Sequence, residues 1–366
     1  MNRSIRKKRV VFVLLGAYPL FSGDSSKPSH GGAEIDLYSI AKGIDKDRFD
    51  VHFIVGDFKQ KKRISIDRIT LHKGQPIGNS TIPKGICNFL KLLVLIEKIN
   101  PDIIFSKGVS WQTIQLILIK KILRKKLVLK SSHKRNIESD SLEGSLFGKL
   151  FKKFVKNVDV FILQNTEDEN VFKKTFPRYQ GTLTAIRNAQ NIHPYTERFP
   201  SKMLLWIGRS EAFKQPEKFL EIAALCPSYR CLMIMPNTDH KVFESIKVSA
   251  AHIKNIEILA GVPRNEIERH YQEAMFLVST SKNEGFPNVI LESMKNGTPI
   301  VSSLDYDGII QKNYCGFISR NKLEISKFIN ESTREQWVAM SKNAYRFSRE
   351  NFDIEKIVEK YEKLFL

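Results

Sequence analysis

The stretch Glu284-Gly285-Phe286-Pro287-Asn288-Val289-Ile290-Leu291-Glu292 sets two glutamates eight positions apart, joined by a glycine-proline turn that leads into a helix. On one continuous helix the pair would be separated by roughly 12 Å, too far for the acid/base pair of a typical glycosidase. With Glu284 before the helix and Glu292 on its third turn, the two instead address opposite ends of an extended ligand. Phosphates then lie between them at the helix start. A nucleotide sugar has that shape. The plainer alternative is a solvated helix start followed by a surface glutamate, since acidic residues are common in a first turn.

Around this stretch the second half of the chain alternates β-branched runs with helix-like segments. MLLWIG, YRCLMIM, IEILAG, AMFLVST and TPIVSS read as strands, and PEKFLEIAALC, RNEIERHYQE and VILESMKN as helices. The first half keeps the same rhythm: RVVFVLL, GGAEIDLYSIAKGI, FDVHFIV, ICNFLKLLVLIEKIN, DIIFS, TIQLILIKKIL, KLVLKSS, VDVFILQN and GTLTAIRN. TEDENVFKKTF adds a helix with a threonine cap and acidic residues in its first turn. Between the halves, QNIHPYTERFPS has two prolines and no periodicity. The expected fold class is therefore α/β, with two doubly wound parallel sheets. The domains are expected at 1–190 and 202–349, with a linker at 191–201. Residues 350–366 form a closing amphipathic helix with Ile354, Ile357, Val358, Tyr361 and Leu364 on one stripe.

Departure of a nucleoside diphosphate builds negative charge on phosphate oxygens, which positioned cations stabilise without requiring a metal. Arg209 and Lys214, after the strand that opens the second domain, are the candidates. Gly31 and Gly32 open a helix after a long loop in the first domain and permit close backbone approach to a ligand. This loop is not the G-x-G-x-x-G fingerprint of a nicotinamide oxidoreductase. His133 follows the strand KLVLKSS, where the strand ends of open sheets line ligand clefts. Asn188, before the linker, is a weaker candidate.

Together these residues resemble the family 4 glycosyltransferases: the E-x7-E signature at 284–292, Gly31-Gly32-Ala33-Glu34 after the first strand, and Gly208-Arg209 followed by Lys214. The resemblance extends over nearly the whole chain. It implies the GT-B fold, two Rossmann-like domains facing across a cleft, and transfer with retention from a nucleoside-diphosphate sugar. A UDP-sugar is favoured, and neither cofactor nor metal is implied. In that scheme Glu284 touches sugar hydroxyls and Glu292 holds the ribose. Backbone amides around Asn288 and Val289, beside Gly285 and Phe286, meet the diphosphate. The last helix crosses back to the acceptor-binding first domain. Two departures stand out: Gln215 replaces a common glycine, and DYDGIIQKNYCGF at 305–317 lacks a usual acidic residue. A catalytically silent sugar-nucleotide or polyanion binding protein of the same fold is the alternative.

Charge adds a partner. Residues 1–190 carry 35 Lys/Arg against 17 Asp/Glu, or +18, whereas residues 191–366 carry 24 against 22, or +2. SLFGKLFKKFVKNV at 145–158 places Leu146, Phe147, Leu150, Phe151, Phe154, Val155 and Val158 on one stripe with lysines mostly elsewhere. Such a helix fits an anionic bilayer, or equally a sheet of its own domain. With KQKKR at 59–63 and KKILRKKLVLKSSHKR at 120–135, it suggests peripheral binding to a membrane carrying a lipid-linked acceptor. No zinc-finger or RNA-binding signature accompanies the charge, so nucleic acid is not expected. Arg3 to Arg9 followed by Val10–Ala17 imitates a secretory signal, but the apolar run is short and reads as a buried strand. Four cysteines without metal or disulfide spacing fit a cytoplasmic protein.

Overall fold

The computed structural model describes residues 6–23, 31–77, 82–282, 284 and 286–366. The chain divides into two compact units, one of residues up to Ala189 together with Ile354–Leu366, the other of Gln190–Asp353.

The first unit is built on eight strands: β1 (Lys8–Val13), β2 (Phe49–Val55), β3 (Arg63–Ile66), β4 (Ile69–Lys73), β5 (Ile103–Lys107), β6 (Lys126–Lys130), β7 (Val160–Leu163) and β8 (Thr182–Ala185). Their order is β3-β4-β2-β1-β5-β6-β7-β8. All neighbours run parallel except β3 and β4, which form a hairpin. That hairpin escapes the sequence reading because its turn residues, Asp67 and Arg68, adopt φ of 50° and 60° without a glycine, and because β3 alternates with charged and polar residues on an exposed edge.

Side chains alternate across this sheet, so each strand feeds two cores. Val10, Phe12, Phe53 and Phe105 face the helices Gly32–Gly43 and Ile354–Phe365. Val11, Ile104, Leu127 and Phe161 face the helices Ile82–Ile99, Trp111–Leu123 and Leu146–Phe154. The C-terminal helix belongs here although it follows the second unit in sequence: Ile357, Val358, Tyr361 and Phe365 are buried in the first core. Glu362 accepts the Asp45 N–H at 2.8 Å and pairs with Arg48 at 3.1 Å.

Two expectations change. The stripe at 146–158 does not form a free bilayer face, because Phe151, Val155 and Val158 are buried in the core and Phe147 and Phe154 pack against it. Leu146 alone of that set is prominently exposed, at 67%. The lysines at 120–130 are not one open surface either. Lys120 pairs with Asp159 at 2.8 Å, Lys126 donates to the Leu364 carbonyl at 2.7 Å, and Lys130 is fully buried. At the helix Asp168–Thr175 the N-cap position falls on Glu167, and Asn165 Oδ1 accepts the Asp168 N–H at 2.8 Å.

The second unit has six parallel strands: β9 (Met203–Ile207), β10 (Arg230–Ile234), β11 (Ile256–Leu259), β12 (Phe276–Ser279), β13 (Ile300–Ser302) and β14 (Gly316–Ile318). Their order is β11-β10-β9-β12-β13-β14. The chain starts in the middle at β9, winds outward through β10 and β11, then returns to β12 and winds the other way. In an open sheet of this kind ligands bind beyond the carboxyl ends of the strands where the winding reverses, here between β9 and β12. The segment after Ala189 is packed onto this unit rather than extended. Arg198 donates to the carbonyls of Gln272 and Asn296, each at 2.6 Å, and Tyr195 pairs with Ser341 at 3.0 Å.

Candidate active site

The loops after β9 and β12 meet at the reversal point of the second sheet. Lys214 ends a short 3-10 turn, Ala212–Lys214, and its ammonium forms an ion pair with Oε1 of Glu284. Both side chains are nearly nine-tenths buried, 12% and 11% exposed. Ser281 Oγ adds a 3.3 Å hydrogen bond to the same carboxylate oxygen. Beneath the pair a buried network fixes the two loops. The Trp206 indole donates to Thr280 Oγ1 at 2.9 Å, and that hydroxyl lies 2.8 and 2.9 Å from the carbonyl oxygens of Lys214 and Gln215. The Lys282 N–H donates to the Phe213 carbonyl at 2.8 Å.

Gln215 holds φ 49° and ψ 55°, the left-handed region that glycine occupies without strain. The departure noted at this position is therefore accommodated by the glutamine itself taking the glycine conformation. Pro216 follows as the first residue of the helix Pro216–Leu225.

The helix after the glutamate loop is Asn288–Lys295, with Pro287 at its N-cap. Glu292 thus sits on the second turn, not the third, because the proline marks the boundary one turn later than a helix running from the glutamate would. The amides of a helix's first turn have no acceptor within the helix, and the positive end of its dipole adds to their pull on an anion. Phe286 is buried against Tyr306 and Phe352, with ring centroids 5.5 and 5.7 Å away. It anchors the loop and presents no face to a ligand. Val289 packs partly buried on the same core. Gly285 lies outside the described residues.

Arg209 is placed differently from Lys214. Its guanidinium is half exposed and pairs with Glu211 at 3.0 Å. Two residues that the sequence reading passed over join the site. The Tyr271 hydroxyl donates to Glu292 Oε2 at 2.9 Å, and Lys218 Nζ donates to Ser303 Oγ at 3.3 Å beyond β13. Burial lowers the pKa of Lys218 below the ordinary lysine value. Tyr271 lies 21 positions from Glu292, on another helix, so no local pattern marks the pair.

In the first unit the helix Gly32–Gly43 begins after Gly31, whose φ of −75° any residue adopts. A Cβ on Gly31 or Gly16 would meet a carboxylate oxygen of Glu34 at 2.8 or 2.7 Å, but that oxygen ends a flexible side chain that can turn aside, so neither position demands glycine for room. His133 is exposed beyond the carboxyl end of β6, and its N–H donates to Asn136 Oδ1 at 3.2 Å. Asn188 is buried and accepts from Lys107 at 2.8 Å. Lys107 and Lys130 both donate to one Asp36 oxygen, at 2.7 and 2.8 Å. Burial pushes the Lys130 ammonium down to about 7, since a single carboxylate cannot neutralise two cations in a dry core. Burial alone would raise the Asp36 carboxyl, but the two lysines hold it below its ordinary value. Among the described residues no three His, Cys, Asp or Glu side chains converge as metal ligands, and no helix is long and apolar enough to cross a membrane.

Residues 190–347, essentially the second unit, match the family model described as glycosyl transferases group 1. The second unit carries a glycosyl transferases group 1 domain. Over 91% of its length the chain is also 22% identical to an uncharacterized glycosyltransferase of Haemophilus influenzae, covering 96% of that protein. Among solved structures it resembles a sucrose-phosphate synthase from Thermosynechococcus elongatus, with a TM-score of 0.77 at 14% identity and 98% of each chain covered. It also resembles the E. coli trehalose-6-phosphate structure bound with UDP-2-fluoro glucose, with a TM-score of 0.73 at 12% identity, covering 98% of this chain and 99% of that one. These likenesses establish the GT-B fold and make the chain a homologue of glycosyltransferases. The group 1 domain contains Arg209, Lys214, Glu284, Phe286, Asn288, Val289 and Glu292. Gly31, Gly32 and His133 lie in the part of the chain outside it.

Proposed function

We propose that the chain is a retaining, metal-independent glycosyltransferase of family 4. It moves a hexose from a nucleoside-diphosphate sugar, a UDP-sugar by preference, to a hydroxyl of a membrane-associated, lipid-linked glycan in surface polysaccharide synthesis. The observation that carries the reading is the buried Lys214–Glu284 pair at the reversal point of the second sheet, beside the start of the helix Asn288–Lys295. A diphosphate there meets the first-turn amides and the Lys214 ammonium, with Arg209 as a second cation. Charge developing on the leaving phosphate is stabilised in a site with little water. Glu284 addresses the sugar hydroxyls, and Glu292, oriented by Tyr271, takes the ribose. The solved relative bound with UDP-2-fluoro glucose supports a donor of this class.

A thermal-shift panel of UDP, GDP, ADP, CMP and NAD without divalent metal tests the donor site, because a ligand that binds only the folded chain raises its apparent stability. A selective rise with one nucleoside diphosphate, lost in Glu292→Ala, is the expected result. No rise with any of them, or a rise with NAD alone, refutes it. Turnover of the matching sugar nucleotide separates an enzyme from a silent binder.

A further inference from the structure

The helix Ile82–Ile99 of the first unit is apolar on both sides. Leu92, Ile96 and Ile99 point into the core. Ile86, Leu90 and Val94, spaced by four, point the other way and are 59%, 52% and 45% exposed. The exposed row stands beside exposed Lys91 and Lys98, so the outer side of this helix mixes apolar and basic side chains. Its neighbours extend the patch. Gln115 Nε2 donates to the Gly85 carbonyl at 3.3 Å, which sets the first turns of the helix Trp111–Leu123 beside Ile86. Trp111 is 54% exposed, and its ring meets Phe147 edge-on at 5.5 Å, next to the exposed Leu146. Large side chains exposed together in this way mark an interaction surface.

Charge identifies the partner. The helices Ile82–Ile99, Trp111–Leu123 and Leu146–Phe154 hold eight lysines and one acidic residue, Glu97, with Lys120 paired to Asp159 and Lys152 to Glu143. Lys91 and Lys98 are exposed on the same helix as the apolar row, and Lys149 and Lys153 flank Leu146. Protein–protein interfaces are depleted of lysine, whereas a bilayer with anionic headgroups takes apolar side chains and lysine ammoniums at adjacent depths. We propose that this three-helix face docks on an anionic bilayer, with Ile86, Leu90, Val94, Trp111 and Leu146 entering the headgroup region. The inference locates the membrane contact of the function proposed above and rests on that reading for its biological sense.

Trp206 and Trp337, the other two tryptophans, are 2% and 0% exposed, so a change in tryptophan emission on binding reports Trp111. The full chain is mixed with phosphatidylglycerol-containing vesicles and with pure phosphatidylcholine vesicles at low and high salt. Co-sedimentation and emission are followed together. The expected result is binding to the anionic vesicles that weakens with salt, accompanied by a blue shift. The triple variant Ile86→Ser, Leu90→Ser, Val94→Ser should bind at least tenfold more weakly with an unchanged circular dichroism spectrum, and Lys91→Glu with Lys149→Glu should do the same. No binding at low salt overturns the proposal, as does binding that leaves Trp111 emission and both variants unaffected. A dimer in solution that the triple variant dissociates, without vesicle binding, assigns the face to a second copy instead. A retained nucleoside-diphosphate shift in any of these outcomes leaves the donor site standing.

Discussion

The Tyr271 hydroxyl donates a 2.9 Å hydrogen bond to Oε2 of Glu292, tying the helix Arg264–Glu273 to the helix Asn288–Lys295. Tyr271 is itself held: its side chain is 1% exposed, and its carbonyl accepts from Thr298 Oγ1 at 2.6 Å and from Arg198 at 3.3 Å. The carboxylate assigned to the ribose is therefore oriented before a ligand arrives, which reduces the ordering cost of binding.

Tyr271→Phe keeps the ring and removes one hydrogen bond, with a net effect of about 1 kcal/mol. Because the bond is present without ligand, the melting temperature should fall by about 2–4 °C, and nucleoside-diphosphate affinity measured by calorimetric titration should fall by at most about fivefold. Unaltered affinity would reduce Tyr271 to a packing residue.

Lys214→Met strands the buried Glu284 carboxylate without its cation, a situation that costs about 3–5 kcal/mol in buried pairs. The double variant Lys214→Met with Glu284→Leu removes both charges and should regain most of that stability in a calorimetric scan. Sugar transfer should be lost in both proteins. Activity returning along with stability would mean that the pair is only structural.

Gln215 carries its left-handed backbone at φ 49°. Gln215→Gly should leave stability within about 1 kcal/mol, since relief of strain offsets the added freedom of the unfolded chain. Gln215→Val forces a β-branched side chain into the same region and should cost about 1–3 kcal/mol by denaturant titration. A valine variant as stable as the wild type would show that the loop has shifted.

Lys130 faces Asp36, Lys107, the Tyr361 ring at 5.6 Å and the Arg187 carbonyl at 3.4 Å. Its pKa is lowered from 10.5 to about 7, so between those values the unfolded chain holds a proton that the folded chain releases. Stability therefore rises with pH across that window, by at most about 1.4 kcal/mol per pH unit, and this contribution is constant below it. Thermal melts of the wild type and Lys130→Met from pH 7 to 10 check this: the variant should lose the part of the slope nearest pH 7, while Lys46, lowered by burial to about 8, and Lys218 keep theirs. An identical slope in both would assign it to other groups.

Much of the fold was legible in the chain. The runs KRVVFV, FDVHFIV and MLLWI are fully or largely buried parallel strands, and buried strands read as continuous apolar segments. The hairpin of β3 and β4 was not legible, because its turn uses Asp67 and Arg68 where glycine or asparagine would signal it. Of the candidate site, Lys214 and Glu284 could be singled out by residue type and position. Their pairing could not, since it depends on β9 and β12 being neighbours in the sheet. The amphipathic reading of residues 146–158 found a true stripe and left a bilayer or the domain's own sheet as its neighbour; the sheet's core is the one that covers it. Periodicity shows that a helix has an apolar face but not what covers it.

The sequence by itself determined two α/β halves, the concentration of positive charge in the first, and the glutamate stretch at the head of a helix, because periodicity, composition and spacing are local properties. Only the tertiary structure decided that Lys214 meets Glu284, that Tyr271 holds Glu292, and that the open apolar face is Ile86, Leu90 and Val94 rather than the stripe at 146–158. Each of these depends on which elements lie side by side, and that is settled by burial of the whole core rather than by any segment alone.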